Sequence, residues 1–437
     1  MDSAGRVTTA AGLPERPTFR SAFAVGEFRN LWLAQVLSVI GDQLARVALT
    51  VLVYDQTRSA FWAAVTYAVT LVPWLLGGLA LSGLADRLPR RTVMVTCDIS
   101  RTVLVCVMAL LSLRLAAAAT LPLLVVLLFV VTLLDSPFKA SRSAMLPDIL
   151  TGDLYVLGVA VSQMALQIGL VAGFALGGVV VTVLHASGAL ILDAATFAAS
   201  ALLVRFGVRN RPVAAARAAA TGAHQIVAGI RLVFGWPVLR TLTLFGWLVT
   251  FYIVPSGLAA PIATSLHSGL PTAIATGLVF AAGPFGTMTG AIAFSRFVPP
   301  ERRQSWLGPL AIAACGVLAL FAFRPGIVGC LVILAVSGAC ASYQLAANSA
   351  FVAAVPPERR GQAFGLANGG MQAFQGLWIV LAGALAPLLS TPVVIALSGA
   401  IGAITAAALA IAHHKESVRP TQQPAPPAGR PESARDY

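Results

Sequence analysis

Charged side chains are scarce in this chain of 437 residues. Asp, Glu, Lys and Arg together make up 10% of it, and hydrophobic residues make up 58%. A soluble domain usually carries about a quarter charged residues. The composition therefore leaves no room for a sizeable soluble domain.

Catalytic and nucleotide-binding motifs are also missing. The patterns GxxxxGK[ST], HExxH and GxSxG do not occur. The five cysteines show no pair at metal-ligand spacing, and the five histidines form no cluster with them. We therefore expect neither an enzyme nor an ATP-driven pump, and no metal or organic cofactor. Residues 1–30 lack an apolar core, so no cleavable signal peptide is expected.

Long apolar runs dominate instead. A helix needs about 20 apolar residues to cross the roughly 30 Å of bilayer hydrocarbon. Runs such as LPLLVVLLFVVTLL do not alternate as barrel strands would. We predict an all-α polytopic membrane protein with twelve transmembrane helices, at approximately 31–54, 62–84, 92–114, 120–140, 156–184, 187–206, 238–262, 272–295, 306–323, 327–350, 361–387 and 391–412.

Basic residues are unevenly distributed among the loops. With both termini placed in the cytoplasm, and with the basic residues at span ends counted with the adjoining loops, 24 Lys and Arg residues fall on that side and 3 on the other. Basic loops stay cytoplasmic during insertion. The pattern predicts a multi-pass protein of a bacterial plasma membrane, and it explains the net charge of +13 without a nucleic-acid partner.

The longest polar stretch between spans divides them into two groups of six. Its second part, 224–236, has the periodicity of an amphipathic helix at the membrane surface. The sequence thus predicts five regions: a cytoplasmic N-terminal segment (1–30), a first six-helix bundle (31–206), a cytoplasmic linker with an amphipathic helix (207–237), a second six-helix bundle (238–412) and a disordered cytoplasmic tail (413–437).

Two pairs of ionisable residues lie inside the predicted spans. An ionisable residue costs about 2.5–3.5 kcal/mol there on insertion scales, so each is a candidate functional group. Asp42 and Arg46 in the first span are four residues apart and can pair, with Gln43 beside them. Asp98 and Arg101 form a second possible pair in the third span. These five residues are our candidates for proton coupling or for a substrate cavity; the alternative is that the pairs only fix helix packing.

Polar residues in the second half are neutral. Its spans contain amides that can line a cavity or join helices by hydrogen bonds. They are Gln344, Asn348, Asn368, Gln372 and Gln375.

The loop between the second and third spans reads SGLADRLPRR. It resembles the loop signature G-x-L-a-D-R-x-G-R-[KR] of the major facilitator superfamily. Ser82 and Pro89 replace the two glycines of the pattern. Within that superfamily the chain looks most like the drug:proton antiporter-3 group, which includes macrolide efflux proteins and the enterobactin exporter. The segments that carry this likeness are GDQLARVALTVLVYDQT, LDAATFAASALL, HQIVAGIRLVFGWPVLR and VPPERRGQAFGL.

The resemblance implies a cytoplasmic gate and a cavity. Asp86 would face the start of span 11, and Arg87 or Arg90 would pair with Asp135 at the end of span 4. The cavity would lie between spans 1, 4, 7 and 10.

The fifth span reads GFALGG where related antiporters have G-P-x-x-G-G, so Phe174 stands at the proline position. Gly169, Gly173 and Gly177 share one helical face, and we expect them to pack against span 8.

The function most consistent with these features is export of a small amphipathic or hydrophobic compound, of drug, macrolide or siderophore type, by proton antiport with alternating access. The partners would be this small molecule, protons and the lipid bilayer, and the protein would act as a monomer. A facilitator, an importer or a lysolipid carrier on the same fold is the alternative, because a fold does not fix the direction of transport.

Overall fold

The computed structural model describes residues 18–71, 73, 88–114, 120–211, 222–266 and 268–418. These residues form helices and connecting turns, and no strand occurs among them. The helices are α1 (Phe19–Ala24), α2 (Gly26–Thr57), α3 (Ala60–Val69), α4 (Arg90–Arg114), α5 (Leu121–Ile149), α6 (Asp153–Gly207), α7 (Gly222–Gly235), α8 (Pro237–Trp247), α9 (Val249–Tyr252), α10 (Val254–Gly257), α11 (Ala259–Ser265), α12 (Thr272–Phe297), α13 (Leu307–Gly316), α14 (Ile327–Cys340), α15 (Tyr343–Ala354), α16 (Arg360–Leu389) and α17 (Thr391–Val418). Three 3₁₀ segments, Pro300–Arg302, Val317–Phe323 and Pro357–Arg359, link some of them.

The structure agrees with the prediction of a polytopic membrane protein. Nine helices of the described part of the chain are long and apolar enough to cross a bilayer. One of them, α6, contains His185 at φ 59°, which divides it where the fifth and sixth predicted spans meet. Residue 72 and residues 74–87, which include the second part of the second predicted span and the first part of its loop to the third, lie outside the described residues, so the count of twelve stays a prediction.

Two predicted spans are interrupted helices. The seventh is split into α8 to α11, and the tenth is split into α14 and α15 at Ala341 and Ser342. Interruptions free backbone carbonyls that must find donors inside the protein. Tyr343 Oη donates to Phe245 O at 3.0 Å, and Ser398 Oγ donates to Phe251 O at 2.8 Å. Side chains from neighbouring helices thus stabilise a broken backbone at membrane depth.

The predicted amphipathic segment forms α7, which packs against α16. Gly229 allows this approach, since a Cβ there would lie 3.0 Å from Gln362 O. Val233 is buried, whereas Ile230 and Phe234 remain partly exposed. The apolar side of α7 is therefore partly buried in the protein and partly exposed.

The two halves contact each other at the end of the molecule where α2 ends and α3 begins. Tyr54 and Thr264 are joined there by a hydrogen bond of 3.2 Å. Gly383 of α16 lies against Ala60 and Ala64 of α3. The largest buried apolar cluster contains residues of both halves. This end of the molecule is therefore closed by direct contact between the halves.

The glycines of the fifth span pack differently from our expectation. Gly169, Gly173 and Gly177 face α2, where a Cβ would meet Val39, Gln43 and Val47 respectively. Residues four apart share one helical face, and this face is occupied by the first span. The prediction of contact with span 8 was wrong for these three glycines.

Span 8 instead approaches the neighbouring glycine of α6. A Cβ on Gly178 would lie 2.7 Å from Ala273 O, and a Cβ on Gly277 would lie 2.6 Å from Phe174 O. Both distances are too short for real atoms, so the two backbones touch because neither residue has a side chain. This contact between α6 and α12 joins the two halves.

We predict that Gly277→Ala destabilises this conformation, because the added methyl group meets rigid backbone of α6. Overpacking of this kind costs about 1–3 kcal/mol. Thermal unfolding in detergent, followed by tryptophan fluorescence, should show a lower Tm than the wild type. The matched control is Gly283→Ala on the same helix, where a Cβ meets open space. Equal Tm values for the two variants would contradict the prediction.

Candidate functional site

A buried arginine organises the charged side chains of the first half. Arg101 of α4 is 1% exposed, and its Nη2 lies 2.7 Å from Asp42 Oδ1 of α2. Its Nη1 lies 3.9 Å from Asp98 Oδ1 and 3.7 Å from Asp135 Oδ1 of α5. Three carboxylates from three helices therefore surround one guanidinium. We call Asp42, Asp98, Arg101 and Asp135 the acid cluster.

Neutral groups hold the acid cluster in place. Ser200 Oγ of α6 donates to Asp98 Oδ2 at 2.6 Å, and Arg101 Nη1 also donates to Ser38 Oγ at 3.4 Å. The Arg101 guanidinium lies over the ring of Phe197, 3.9 Å from its centroid. A cation over an aromatic face is attracted by the ring quadrupole. All four long helices of the first half thus contribute to the position of Arg101.

Asp135 lies deeper than predicted and has other partners. Its side chain is 8% exposed and pairs with Lys139 Nζ at 2.6 Å as well as with Arg101. Arg90 instead donates to Asp148 Oδ2 at 2.8 Å and to Ala144 O at 2.7 Å. The predicted ion pair between Arg90 and Asp135 is therefore absent from this conformation.

The other two residues of the predicted gate, Asp86 and Arg87, lie outside the described residues. Arg90 lies at the first turn of α4 and reaches the last turn of α5. Asp135 forms its ion pairs with Arg101 and Lys139 and therefore does not pair with Arg90 in this conformation. The loop signature alone could not identify Asp148 as the partner of Arg90.

The predicted pair within the first span does not form either. Asp42 turns toward Arg101, whereas Arg46 lies over the ring of Tyr67 at 5.5 Å from its centroid. Gln43 is buried against α6 and donates to Val39 O at 3.1 Å. The spacing of four residues made the pair Asp42–Arg46 possible, but a cation from another helix provides the closer partner for Asp42.

A cavity of about 870 Å³ lies between the two halves. It extends from their closed contact toward the end of the molecule where α2 begins. Spans 7, 8, 10 and 11 provide most of its wall. The predicted cavity residues Asp42, Gln43, Asp98 and Arg101 do not line it, and the fourth span contributes nothing to it. Arg46 is the one predicted cavity residue that does.

The neutral amides of the second half are cavity residues in part. Gln344, Asn348 and Asn368 line the cavity, as the sequence allowed. Gln344 is hydrogen-bonded to the hydroxyl of Tyr252. Gln375 is buried outside the cavity. Hydrogen-bonding groups therefore occur on the wall contributed by the second half.

Aromatic rings cover the closed end of the cavity. Phe280 of α12 stacks on Phe174 of α6 with centroids 4.9 Å apart and planes inclined by 10°. It also stacks on Tyr67 of α3 at 5.7 Å. Offset stacking of this kind contributes about 0.5–1.5 kcal/mol beyond the area buried. The residue at the position of the antiporter proline thus belongs to a ring stack that joins the two halves.

Most of the residues that line the cavity could not be identified from the sequence. Trp247, Tyr252, Phe280, Phe351 and Phe364 line the cavity but carry no local motif that distinguishes them from ordinary apolar span residues. The interruptions of spans 7 and 10 were a possible signal, since Pro255 and Pro261 occur in the seventh. Taken together, the broken helices, the cavity between two helical halves and the buried charges define a polytopic membrane carrier.

Comparison with known proteins gives the family. The family model described as Major Facilitator Superfamily matches residues 31–341 and 302–435. The chain therefore belongs to the major facilitator superfamily, as the loop signature predicted, and it is a transport protein rather than an enzyme. It is a multi-pass protein of the bacterial plasma membrane.

Similar proteins are transporters. The chain is 26% identical over 377 residues to the multidrug efflux pump Tap of Mycolicibacterium fortuitum, which covers 83% of this chain and 89% of Tap. Among solved structures, the nucleoside transporter NupG matches with a TM-score of 0.71 at 15% identity, over 89% of this chain and 99% of NupG. A bacterial homologue of the human lysosomal transporter Spinster, inward-facing and unoccupied, matches with a TM-score of 0.68 at 15% identity, over 92% of this chain and 99% of that one.

We predict that Arg101→Gln strongly destabilises the protein, because three carboxylates lose their shared cation. Removal of one partner from a buried ion pair costs about 3–5 kcal/mol. The Tm in detergent should fall well below that of the wild type. Arg90→Gln is the control, since its pair with Asp148 is partly exposed and such pairs contribute about 0–1 kcal/mol. Similar losses for the two variants would show that Arg101 does not organise the cluster.

Proposed function

We propose that this protein exports a small amphipathic or hydrophobic compound, of drug, macrolide or siderophore type, in exchange for protons. The cavity between the halves holds the compound and opens alternately to the two sides of the membrane. The acid cluster carries the proton. The observation that carries this proposal is the group of three carboxylates around Arg101, one of which, Asp42, lies on the helix that contributes Arg46 to the cavity.

The charges of the cluster support proton binding. In their direct contacts the three carboxylates share two cations within 4 Å, Arg101 and Lys139, so one negative charge has no cation of its own. Arg46 acts on Asp42 and Asp135 only from beyond 4 Å. An uncompensated charge is costly at membrane depth, and binding of a proton would neutralise it. Asp42 is the best candidate for the carrier, because its side chain is 24% exposed whereas that of Asp98 is 0% exposed.

Protonation can also shift the conformation. Asp42 lies on α2, Asp98 and Arg101 on α4, and Asp135 on α5. A neutral Asp42 binds Arg101 less strongly, so the arrangement of these three helices depends on its charge. A ligand shifts a two-state equilibrium by its difference in affinity for the two states, and here the proton is such a ligand.

The lining of the cavity supports an amphipathic or hydrophobic compound. Its wall combines many aromatic and aliphatic side chains with a few amides and hydroxyls, and its volume of about 870 Å³ suits a drug-sized molecule. The similarity to the efflux pump Tap favours export of such a compound.

Facilitated diffusion, import or lysolipid transport on the same fold is the second candidate. The structural neighbours include transporters of other kinds, among them a nucleoside transporter. The direction of proton movement during substrate transport distinguishes these functions from antiport. In antiport, protons move opposite to the substrate, whereas a facilitator moves no protons.

Membrane organisation is part of the proposal. Twelve spans form two six-helix bundles, the termini and the linker are cytoplasmic, and the protein acts as a monomer. The cavity then faces the cytoplasm in this conformation, ready to take up a compound. Asp86, Arg87 and Arg90 would act as the cytoplasmic gate when the carrier opens outward, a state in which Arg90 would exchange Asp148 and Ala144 for other partners.

We predict that Asp42→Asn abolishes proton coupling, because an amide cannot carry a proton between the two sides. Inverted membrane vesicles with an acidic lumen should release protons when a macrolide, a dye or a siderophore is added to the wild type. The variant should release them at least tenfold more slowly, the order of effect expected for loss of a positioned proton-transfer group.

The matched control is Asp55→Asn at the far end of the same helix, where the side chain is 47% exposed. It should retain compound-dependent release. Release that persists in Asp42→Asn and disappears in Asp98→Asn would move the carrier role to Asp98. Compound transport by the wild type without proton release would refute antiport.

We also predict that a reporter fused after residue 437 lies in the cytoplasm. A green fluorescent protein there should fluoresce, whereas alkaline phosphatase at the same position should be inactive. The excess of basic residues in the loops on that side is the physical reason. A reporter pattern of the opposite kind would reverse the proposed orientation and the side to which the cavity opens.

A further inference from the structure

The cavity has a positive charge and no negative one among its described lining residues. Arg46 is the one charged side chain in that part of the wall; the others are aromatic, aliphatic, amide or hydroxyl groups. Asp42, Asp98 and Asp135 face Arg101, and none of them lines the cavity. The electrostatic character of the cavity therefore depends on Arg46.

The guanidinium of Arg46 has no acid in direct contact among the residues that the structure describes. It makes no ion pair and no hydrogen bond with them, and its Nε is buried without an acceptor. Asp42 and Asp135 interact electrostatically with Arg46, but each is paired with another cation. Asp42 lies 2.7 Å from Arg101, and Asp135 lies 2.6 Å from Lys139. Arg46 is thus available to an acceptor in the cavity.

Its position is fixed by Tyr67. The guanidinium lies 5.5 Å from the centre of that ring, and Tyr67 in turn stacks on Phe280. A guanidinium is always charged and presents its donors in a rigid plane that matches a carboxylate or sulfonate. Arg46 therefore offers a preorganised donor set at the edge of an aromatic platform.

The charge of Arg46 and the neighbouring aromatic rings favour the same class of ligand. An unpaired cation in a cavity of low dielectric attracts an anion and repels another cation more strongly than it would in water. The rings of Tyr67, Phe174 and Phe280 provide a flat apolar surface next to it. A planar or otherwise rigid apolar body that carries one acidic group matches both features.

We propose that the substrates of this cavity are amphipathic organic anions, with a carboxylate, sulfonate or phenolate bound by Arg46 and an aromatic body packed against Tyr67, Phe174 and Phe280. This inference rests on the proposed function in one respect only, namely that the cavity is the substrate site. It names the substrate class of that site and holds for either direction of transport.

The test is equilibrium binding of two xanthene dyes of opposite charge to the full-length protein in detergent. Fluorescein is anionic and rhodamine 123 is cationic, while their ring systems are closely similar. Fluorescence anisotropy should show fluorescein bound at least tenfold more tightly than rhodamine 123. Detergent micelles without protein correct for partition of the dyes.

Three variants assign the preference to Arg46. Arg46→Gln should lose about tenfold or more in fluorescein affinity, the order expected for loss of a charge-assisted hydrogen bond. Arg46→Lys keeps the charge but loses the planar donor set and the stacking on Tyr67, so its affinity for fluorescein should lie between those of the wild type and of Arg46→Gln. Arg296→Gln removes a positive charge from an exposed position outside the cavity and should change nothing.

Equal binding of the two dyes, tighter binding of rhodamine 123, absence of fluorescein binding, or an unchanged affinity in Arg46→Gln would each overturn the inference. A loss shared by Arg296→Gln would also overturn it, because surface charge would then explain the preference. Failure of the proposed function is distinguishable: fluorescein would bind through Arg46, yet its addition to inverted vesicles would release no protons.

Discussion

The buried guanidinium of Arg101 is the interaction on which the first half of this transporter depends. A charge at membrane depth needs partners or a water-filled cavity, and Arg101 draws carboxylates from α2, α4 and α5 toward one point. Ser200 and Phe197 of α6 complete the arrangement. The same contacts that fix these four helices also bring three carboxylates together, so structural support and the proposed proton binding would depend on one cluster. A change in the charge of any acid therefore bears on the packing of the whole half.

The halves differ in how they meet the constraint of the bilayer. In the first half, long helices pack closely through Gly169, Gly173 and Gly177, and charges occupy the interior. In the second half, spans 7 and 10 are broken, and hydroxyl groups such as those of Tyr343 and Ser398 take up the freed carbonyls. The broken spans 7 and 10, together with spans 8 and 11, contribute most of the cavity wall. The cavity consequently lies mostly against the second half, while the acids lie in the first.

Arg46 lies between these two regions. It belongs to the same helix as Asp42, yet its guanidinium is in the cavity wall and on the ring of Tyr67. Phe280, which stacks on both Tyr67 and Phe174, connects this point to the opposite half. A substrate that moves Arg46 or Phe280 therefore acts on a contact between the halves and, through α2, on the helix that carries Asp42. The proposed coupling between substrate and proton needs such a shared element, and α2, which carries both Arg46 and Asp42, is the candidate for it.

The sequence by itself determined the all-helical membrane fold, the family and the approximate limits of most spans, because hydropathy and the excess of basic residues in one set of loops are local properties. It also singled out Asp42, Asp98, Arg101 and Asp135, since a charge within an apolar run is visible without a structure. Only the tertiary structure decided their partners: Asp42 binds Arg101 rather than Arg46, Asp135 binds Lys139 rather than Arg90, and the glycines of span 5 face span 1. The aromatic residues that line the cavity could not be predicted from the sequence either. Residues at helical spacing are candidates for contact, but in a bundle the distance between two helices and their rotation about their axes select the contact that forms, and neither is written in a local pattern.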